Sequence, residues 1–193
     1  SFRYENLITE SRGLPDYAKS TVFNVRWSHS KDPKASPNAT FSASVNFGSS
    51  DYFRQSINQL NSPNFLNNNL SSSISYSKSF PEYPRVNVSL TTAMSQNSQS
   101  KSVNLTLPTL QATMERIFPF APKVGAKKGF FQNINFQYSG RAENRIITTE
   151  EALFGPNMFD NAKSGMKHSI PISTNFKLFK YLSMTTSANY EEV

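Results

Sequence analysis

Residues 39–48 read Ala-Thr-Phe-Ser-Ala-Ser-Val-Asn-Phe-Gly, an unbroken alternation of apolar and polar side chains. Phe41, Ala43, Val45 and Phe47 share one parity, and Thr40, Ser42, Ser44 and Asn46 share the other. Successive side chains of a strand point to opposite faces, so this stretch predicts a strand with one oily and one wet surface. The oily surface must meet either a second protein layer or lipid. That choice decides the fold.

The same period recurs on both sides. Thr21 to His29 sets Phe23, Val25 and Trp27 against Asn24, Arg26 and Ser28. Leu70 to Phe80 sets Ile74, Tyr76 and Phe80 against Ser71, Ser73, Ser75, Ser77 and Ser79. Val86 to Ser95 opposes Val88, Leu90 and Met94 to Asn87, Ser89 and Thr91. In Ser102 to Phe118, Val103, Leu105 and Leu107 share a parity with Asn104 opposite, and the apolar parity then slips at Pro108 to Leu110, Ala112 and Met114. A one-residue slip at a proline is the mark of a bulge. Phe130 to Ala142, Ser169 to Leu178 and the run through Leu182, Met184 and Ala188 complete the series. Asn135, Gln137 and Arg141, then Asn175 and Lys177, then Ser187 hold their polar positions. The reading is all-β: an antiparallel up-and-down meander of about eight strands and no helix. Each strand is near the ~9–11 residues that a tilted strand needs to cross a bilayer.

The connections support a barrel. Lys31 to Asn38, Pro81 to Arg85 and Phe179 to Lys180 are short or moderate, while Gly48 to Asn69 and Glu143 to Lys167 are long and polar. Alternate connections of a meander fall at the same end, so the two long loops share one end. Outer-membrane barrels have this asymmetry, with short periplasmic turns and longer external loops. Two connections break the pattern: Asn97 to Lys101 is short on the long-loop end, and Pro119 to Gly129 is longer on the turn end. Aromatic side chains gather at the turn end: Trp27, Phe41, Phe80, Tyr83, Phe118, Phe120, Phe130, Phe131, Phe179 and Tyr181. Amphipathic rings settle at a membrane–water interface, so these form the expected girdle. A hydrophobic cap at one end of a soluble sandwich would gather rings in the same way.

Composition agrees with a half-wet sheet. The 193 residues are 37% hydrophobic and only 17% charged, yet include 16 Phe and 8 Tyr. A soluble domain ordinarily covers itself with Lys and Glu, whereas Ser, Asn and Thr dominate the polar positions here. The formal net charge of +7 points to an anionic partner. No basic helix, zinc-ligand set or RNA-binding aromatic motif is present, so no nucleic-acid partner is expected; an anionic lipid surface fits the charge at least as well, and an ordinary basic exterior would carry it too. There is no Cys for a disulfide or thiolate site, and no apolar run long enough for a transmembrane helix. Residues 1–193 read as one partial outer-membrane β-barrel domain, a fragment of a longer chain.

Catalytic signatures are scarce. His29 and His168 sit at strand ends, far apart and outside any metal spacing. Glu150 and Glu151 are adjacent carboxylates in a long loop, where solvation is the ordinary state. Lys123, Lys127 and Lys128 with Gly125 and Gly129 lack the glycine spacing of a phosphate loop and read as a basic turn. No enzymatic activity, metal or cofactor is expected. What remains is a lining: Asn24, Arg26, Ser44, Asn46, Ser73, Ser75, Ser89, Thr91, Asn104, Asn135, Gln137, Arg141, Asn175, Lys177 and Ser187. Such a wall passes or holds a sugar-rich molecule through hydroxyl and amide hydrogen bonds, with a few cations for its phosphates.

Taken in order, several motifs resemble the LptD (OstA) family of lipopolysaccharide-assembly outer-membrane proteins, in its Bacteroidetes-type form. They are Arg26-Trp-Ser-His29, Asp32-Pro-Lys-Ala-Ser-Pro-Asn38 running into Phe41 to Phe47, Ser71 to Ser77, Val103-Asn-Leu-Thr-Leu-Pro108, Arg116-Ile-Phe-Pro-Phe120, Gly165 to Pro171 and Phe179-Lys-Tyr181. The resemblance covers the chain from about Thr21 onward. It implies an internal barrel segment of a transporter that moves lipopolysaccharide from the periplasm to the outer leaflet. It further implies contact with outer-membrane lipids, a plug lipoprotein in the lumen and periplasmic bridge proteins. The essential disulfides of better-known members have no counterpart in this Cys-free segment. Two other readings share the residue pattern: a soluble or surface-attached β-sandwich that binds glycans, and the barrel of a nutrient transporter. The sandwich requires a second layer over Phe41, Ile74 and Phe136.

Overall fold

The computed structural model describes residues 1–9, 12–13, 17–52, 69–127, 129–179 and 181–193. These contain nine strands: β1 (Phe2–Thr9), β2 (Ala18–Ser30), β3 (Ala39–Gly48), β4 (Asn69–Phe80), β5 (Val86–Asn97), β6 (Ser102–Ile117), β7 (Asn135–Thr149), β8 (Lys163–Leu178) and β9 (Leu182–Glu192). They form one antiparallel sheet in strict chain order, with β1 and β9 outermost. A short helix, α1 (Gly129–Gln132), interrupts the connection between β6 and β7. The long loop after β3 is described only as far as Tyr52 and again from Asn69, and Lys128 and Lys180 of the turn end also lie outside the described residues.

Local chemistry sets the turns. After β2, the Asp32 side chain accepts from the Lys34 N–H at 2.9 Å and opens a 3-10 turn over Pro33–Ala35. After β5, Asn97 Oδ1 accepts from the N–H groups of Gln99 at 2.9 Å and Ser100 at 3.0 Å, and Lys101 closes the turn at a φ of 53°. Asn and Asp favour such places because their short side chains satisfy backbone donors that no strand partner reaches.

Register joins the alternation into two continuous surfaces. One cross-strand row runs Phe41, Tyr76, Leu90, Leu110, Ala142, Met166 through six strands. The next row, on the opposite face, runs Ser42, Ser75, Thr91, Thr109, Glu143, Gly165. The slip foreseen at Pro108 is present. Thr91 and Ala93 of β5 pair with Thr109 and Thr106 of β6, so β6 carries one extra residue at Leu107–Pro108. The same shift appears against β7, between Thr106 and Thr109. Without it, Leu110, Ala112 and Met114 would lie on the hydroxyl face, because each one-residue slip exchanges the two faces of a strand.

No second sheet covers the apolar face among the described residues, so the sandwich's required layer is absent there. Ile74 is 38% and Leu90 42% exposed, and Phe41 and Phe136 are half-buried by their neighbours in the sheet. Polar pairs also lie on this face, among them the Tyr138 hydroxyl and His168 Nδ1, 2.6 Å apart. Gly140 pairs with His168 and permits this, since a Cβ there would fall 2.4 Å from the Tyr138 hydroxyl oxygen.

Several elements differ from the sequence reading. The sheet has nine strands because Phe2–Thr9 pairs with Ala18–Val25, where Asn6 and Leu7 blur the alternation. Phe130–Gln132 is helical instead of extended; the Asn133 side chain donates to the Gly129 carbonyl at 2.7 Å and Gly129 takes a φ of 73°. Strands β7 and β8 extend beyond Ala142 and before Ser169, which shortens the intervening loop to residues 150–162. That loop is not simply polar. Its Leu153 and Met158 cover Val103, Leu105 and Ile146 of the sheet, with Phe47 and Met94 packed alongside. Phe154 meets the Phe47 ring edge to face, 6.2 Å between centroids.

Glu150 ties the long-loop end together. Its carboxylate accepts from the Ser50 N–H at 3.0 and 3.1 Å, from the Ser50 hydroxyl, and from Gln96 Nε2 at 3.4 Å. Gln96 Nε2 also donates to the Gly48 carbonyl at 2.7 Å, and Gln96 and Ser50 are both buried. Two connections and the end of β5 thus converge on one side chain.

Two outcomes are expected in the full-length protein. Deleting Pro108 removes the extra residue and puts part of β6 out of phase; the heat-modifiable folded band on an unboiled gel is then lost, and unchanged migration would refute this account of the bulge. Replacing Glu150 with Ala lowers the opening free energy at the Ser50 amide by about 1.5–3 kcal/mol, the scale of hydrogen bonds to a charged acceptor. Hydrogen exchange read by mass spectrometry checks this, with the Leu90 amide unaffected.

Candidate functional site

The hydroxyl and amide face is the candidate site, and cross-strand pairing assembles it. Arg26 pairs with Asn46, and Ser44 pairs with both Ser28 and Ser73. Ser75 pairs with Thr91, their hydroxyls 3.5 Å apart, and Ser89 pairs with Gln111. Asn104 lies beside Ser95, and Arg141 between Gln111 and Lys167. At the far side Asn135 and Ser187 both flank Ser173, Asn175 pairs with Thr185, and Lys177 with Ser183. Gln137 follows Asn135 at the same parity on β7. The register therefore brings every residue of the expected lining to one face.

They are not equally available. Asn24 is buried and spends its amide N–H groups on Asn46 Oδ1 at 3.4 Å and the Phe47 carbonyl at 3.2 Å. Asn135 is also buried, donating to the Asn133 carbonyl at 3.0 Å and accepting from the Ser173 hydroxyl at 2.8 Å. These two hold strands in place instead of meeting a solute. Arg141 is engaged as well: its Nε and Nη2 donate to Glu143 Oε2 at 3.1 and 2.6 Å. Lys167 is paired with Glu191.

Arg145 lies beyond Ala142, where the alternation of this strand is no longer plain. Continuing Asn135, Gln137, Ser139, Arg141 and Glu143 by two more residues reaches it, and that parity was the signal. Arg145 lines an open cleft of about 350 Å³ with Ser44, Ser73, Ser95, Asn104 and Thr106. Uncharged hydroxyls and amides with a guanidinium at one side can bind a polyol through many weak hydrogen bonds and orient an anionic group beside it. No set of three or more His, Cys, Asp or Glu among the described residues could hold a metal.

The aromatic residues lie at the turn end as expected. Trp27 stacks on His29 at 6.1 Å between centroids, and His29 meets Phe41 at 5.9 Å. Lys78 Nζ lies 4.9 Å from the Phe80 ring centroid. The Tyr83 hydroxyl accepts from the Phe118 N–H at 3.3 Å, which joins two neighbouring turns. Phe130 meets Phe131 at 5.4 Å and Phe176 at 5.3 Å, while the Thr174 hydroxyl donates to the Phe130 carbonyl at 2.9 Å and docks α1 on β8. Phe120, Phe179 and Tyr181 are largely exposed.

Comparison with curated proteins and with solved structures finds no significant match. The family model described as LptD protein matches residues 1–193, the whole chain. On that match, the chain belongs to the LptD protein family.

Proposed function

We propose that this chain supplies consecutive transmembrane strands to the wall of an outer-membrane barrel that carries lipopolysaccharide from the periplasm to the outer leaflet. Family membership supports the cargo, and the short motifs favour the Bacteroidetes-type branch. The observation that carries the membrane reading is the row Phe41, Tyr76, Leu90, Leu110, Ala142, Met166, continuous over six strands with no protein layer upon it among the described residues. Contiguous exposed apolar surface of that extent marks contact with a partner or with lipid. Strands can cross a bilayer only where each edge is paired, so further strands close the barrel in the whole protein.

In this reading the apolar face meets hydrocarbon and the opposite face lines a hydrated lumen. The turn end lies at the periplasm and the loops bound through Glu150 lie outside. Ser, Thr, Asn and Gln offer the saccharide interchangeable hydrogen bonds, which favours passage over tight capture. Transport needs no bond made or broken and no cofactor. A plug lipoprotein of the LptE type and periplasmic bridge proteins are the partners that the family implies.

Single cysteines in the full-length protein, with native thiols blocked, test the assignment of faces. Leu90→Cys is expected to react with a lipid-soluble reagent and Ser89→Cys with a water-soluble one; the reverse order sinks the membrane reading. Ser75→Trp, which narrows the wet face, is expected to reduce the lipopolysaccharide reaching the cell surface at least several-fold, whereas Leu90→Phe leaves it unchanged. Equal effects would remove the lumen assignment.

A further inference from the structure

One cross-strand row of the wet face runs Ser44, Ser73, Ala93, Thr106, Arg145, Lys163 through six strands. Its last two members are cations, directly opposite each other on β7 and β8. Residues so placed have Cβ atoms about 5 Å apart, and like charges there destabilise a sheet. The acids nearby on this face do not relieve the pair. Glu143 accepts from Arg141, and Glu191 pairs with Lys167. Among the described residues the ion pairs include neither Arg145 nor Lys163. Asp160 shares with both a cleft of about 380 Å³ and pairs with neither, so two positive charges there face one negative charge. An anion seated between the two cations would turn their repulsion into attraction.

Arg145 also borders the neighbouring cleft of about 350 Å³, whose wall holds the hydroxyls of Ser44, Ser73 and Thr106 and the Asn104 amide. The guanidinium thus stands between a row of neutral hydrogen-bonding groups and a second cation. That sequence of groups suits a saccharide bearing a phosphate ester. The hydroxyls and the amide meet sugar hydroxyls. The planar fork of Arg145 takes two phosphate oxygens, and a third remains for the Lys163 ammonium. We propose that Arg145 and Lys163 form a phosphate-selecting station on the lumen wall, where a phosphorylated saccharide is preferred to its neutral counterpart. Lys163 opens β8 at the long-loop end, so the station meets cargo close to where it leaves the barrel. The saccharide and the lumen rest on the function proposed above; the preference for a phosphate rests on the two unpaired cations alone.

The test uses the full-length protein in phosphatidylcholine nanodiscs and a fluorescent glucosamine disaccharide, with and without one phosphate, read by anisotropy. The phosphorylated probe is expected to bind about tenfold more tightly, the scale of one hydrogen bond to a charged group. Arg145→Gln/Lys163→Gln should bind both probes equally, and Lys163→Arg should keep the preference. Lys163→Glu replaces the repulsion by an ion pair, so it should abolish the preference and leave the heat-modifiable folded band intact. Lys78→Gln, beside Phe80 at the turn end, should change nothing. No preference in the wild type, or a preference kept by Lys163→Glu or by the double variant, overturns the station. Inorganic phosphate that competes as well as the phosphorylated probe overturns the saccharide as the phosphate's carrier. A Ser89→Cys variant that no water-soluble reagent reaches removes the lumen and the saccharide with it, whereas a reactive Ser89→Cys without probe preference removes only the station.

Discussion

Everything in this sheet depends on phase. A strand has two faces and a period of two, so each residue's surroundings follow from whether its pairing number is odd or even. Keeping hydroxyls with hydroxyls across neighbouring strands requires every register to agree. The extra residue at Leu107–Pro108 is one place where agreement would otherwise fail, and the pairing on both sides of β6 absorbs it; a second shift against β7 lies between Met114 and Ile117. A proline suits the first place because it lacks the N–H that a regular ladder would demand. The sheet's chemistry is thus set less by any single side chain than by a count that is never lost.

That count is the part a reader of the sequence can follow. Stretches such as Phe41 to Phe47 or Leu70 to Phe80 declare both their structure and their faces, and the slip at Pro108 declares the bulge. Where alternation is diluted, the reading fails. Phe2–Thr9 is a strand because Ala18–Val25 pairs with it, and no local pattern announces that. Residues 143–149 continue β7 although Ile146 and Ile147 are consecutive and apolar; Ser102–Thr106 and the start of β8 supply their partners. At Phe130–Gln132 a left-handed glycine and an asparagine side chain turn an apparent strand into a helical turn. These are tertiary decisions, and propensity yields to them.

The candidate lining was legible as a surface and only partly as a site. Parity alone selects the residues, but it cannot say which have already spent their donors. Asn24 and Asn135 look like neighbours of Ser44 or Asn175 in the sequence, yet both are buried and bonded within the sheet. Arg141 reads as a free cation until Glu143, two residues further on the same face, takes its guanidinium. Arg145 shows the converse, since it belongs to the wall although two consecutive isoleucines hide its phase.

The meeting of two connections and a strand end on one carboxylate bears on how the outer rim can evolve. Ser50, Gln96 and Glu150 come from separate hairpins, yet none can change chemistry alone without stranding a buried donor or acceptor of the others. The 150–162 loop is held besides by Leu153 and Met158, which pack on Val103, Leu105 and Ile146. Diversification at this rim should proceed around a small fixed knot, with the three tethered positions changing together or not at all.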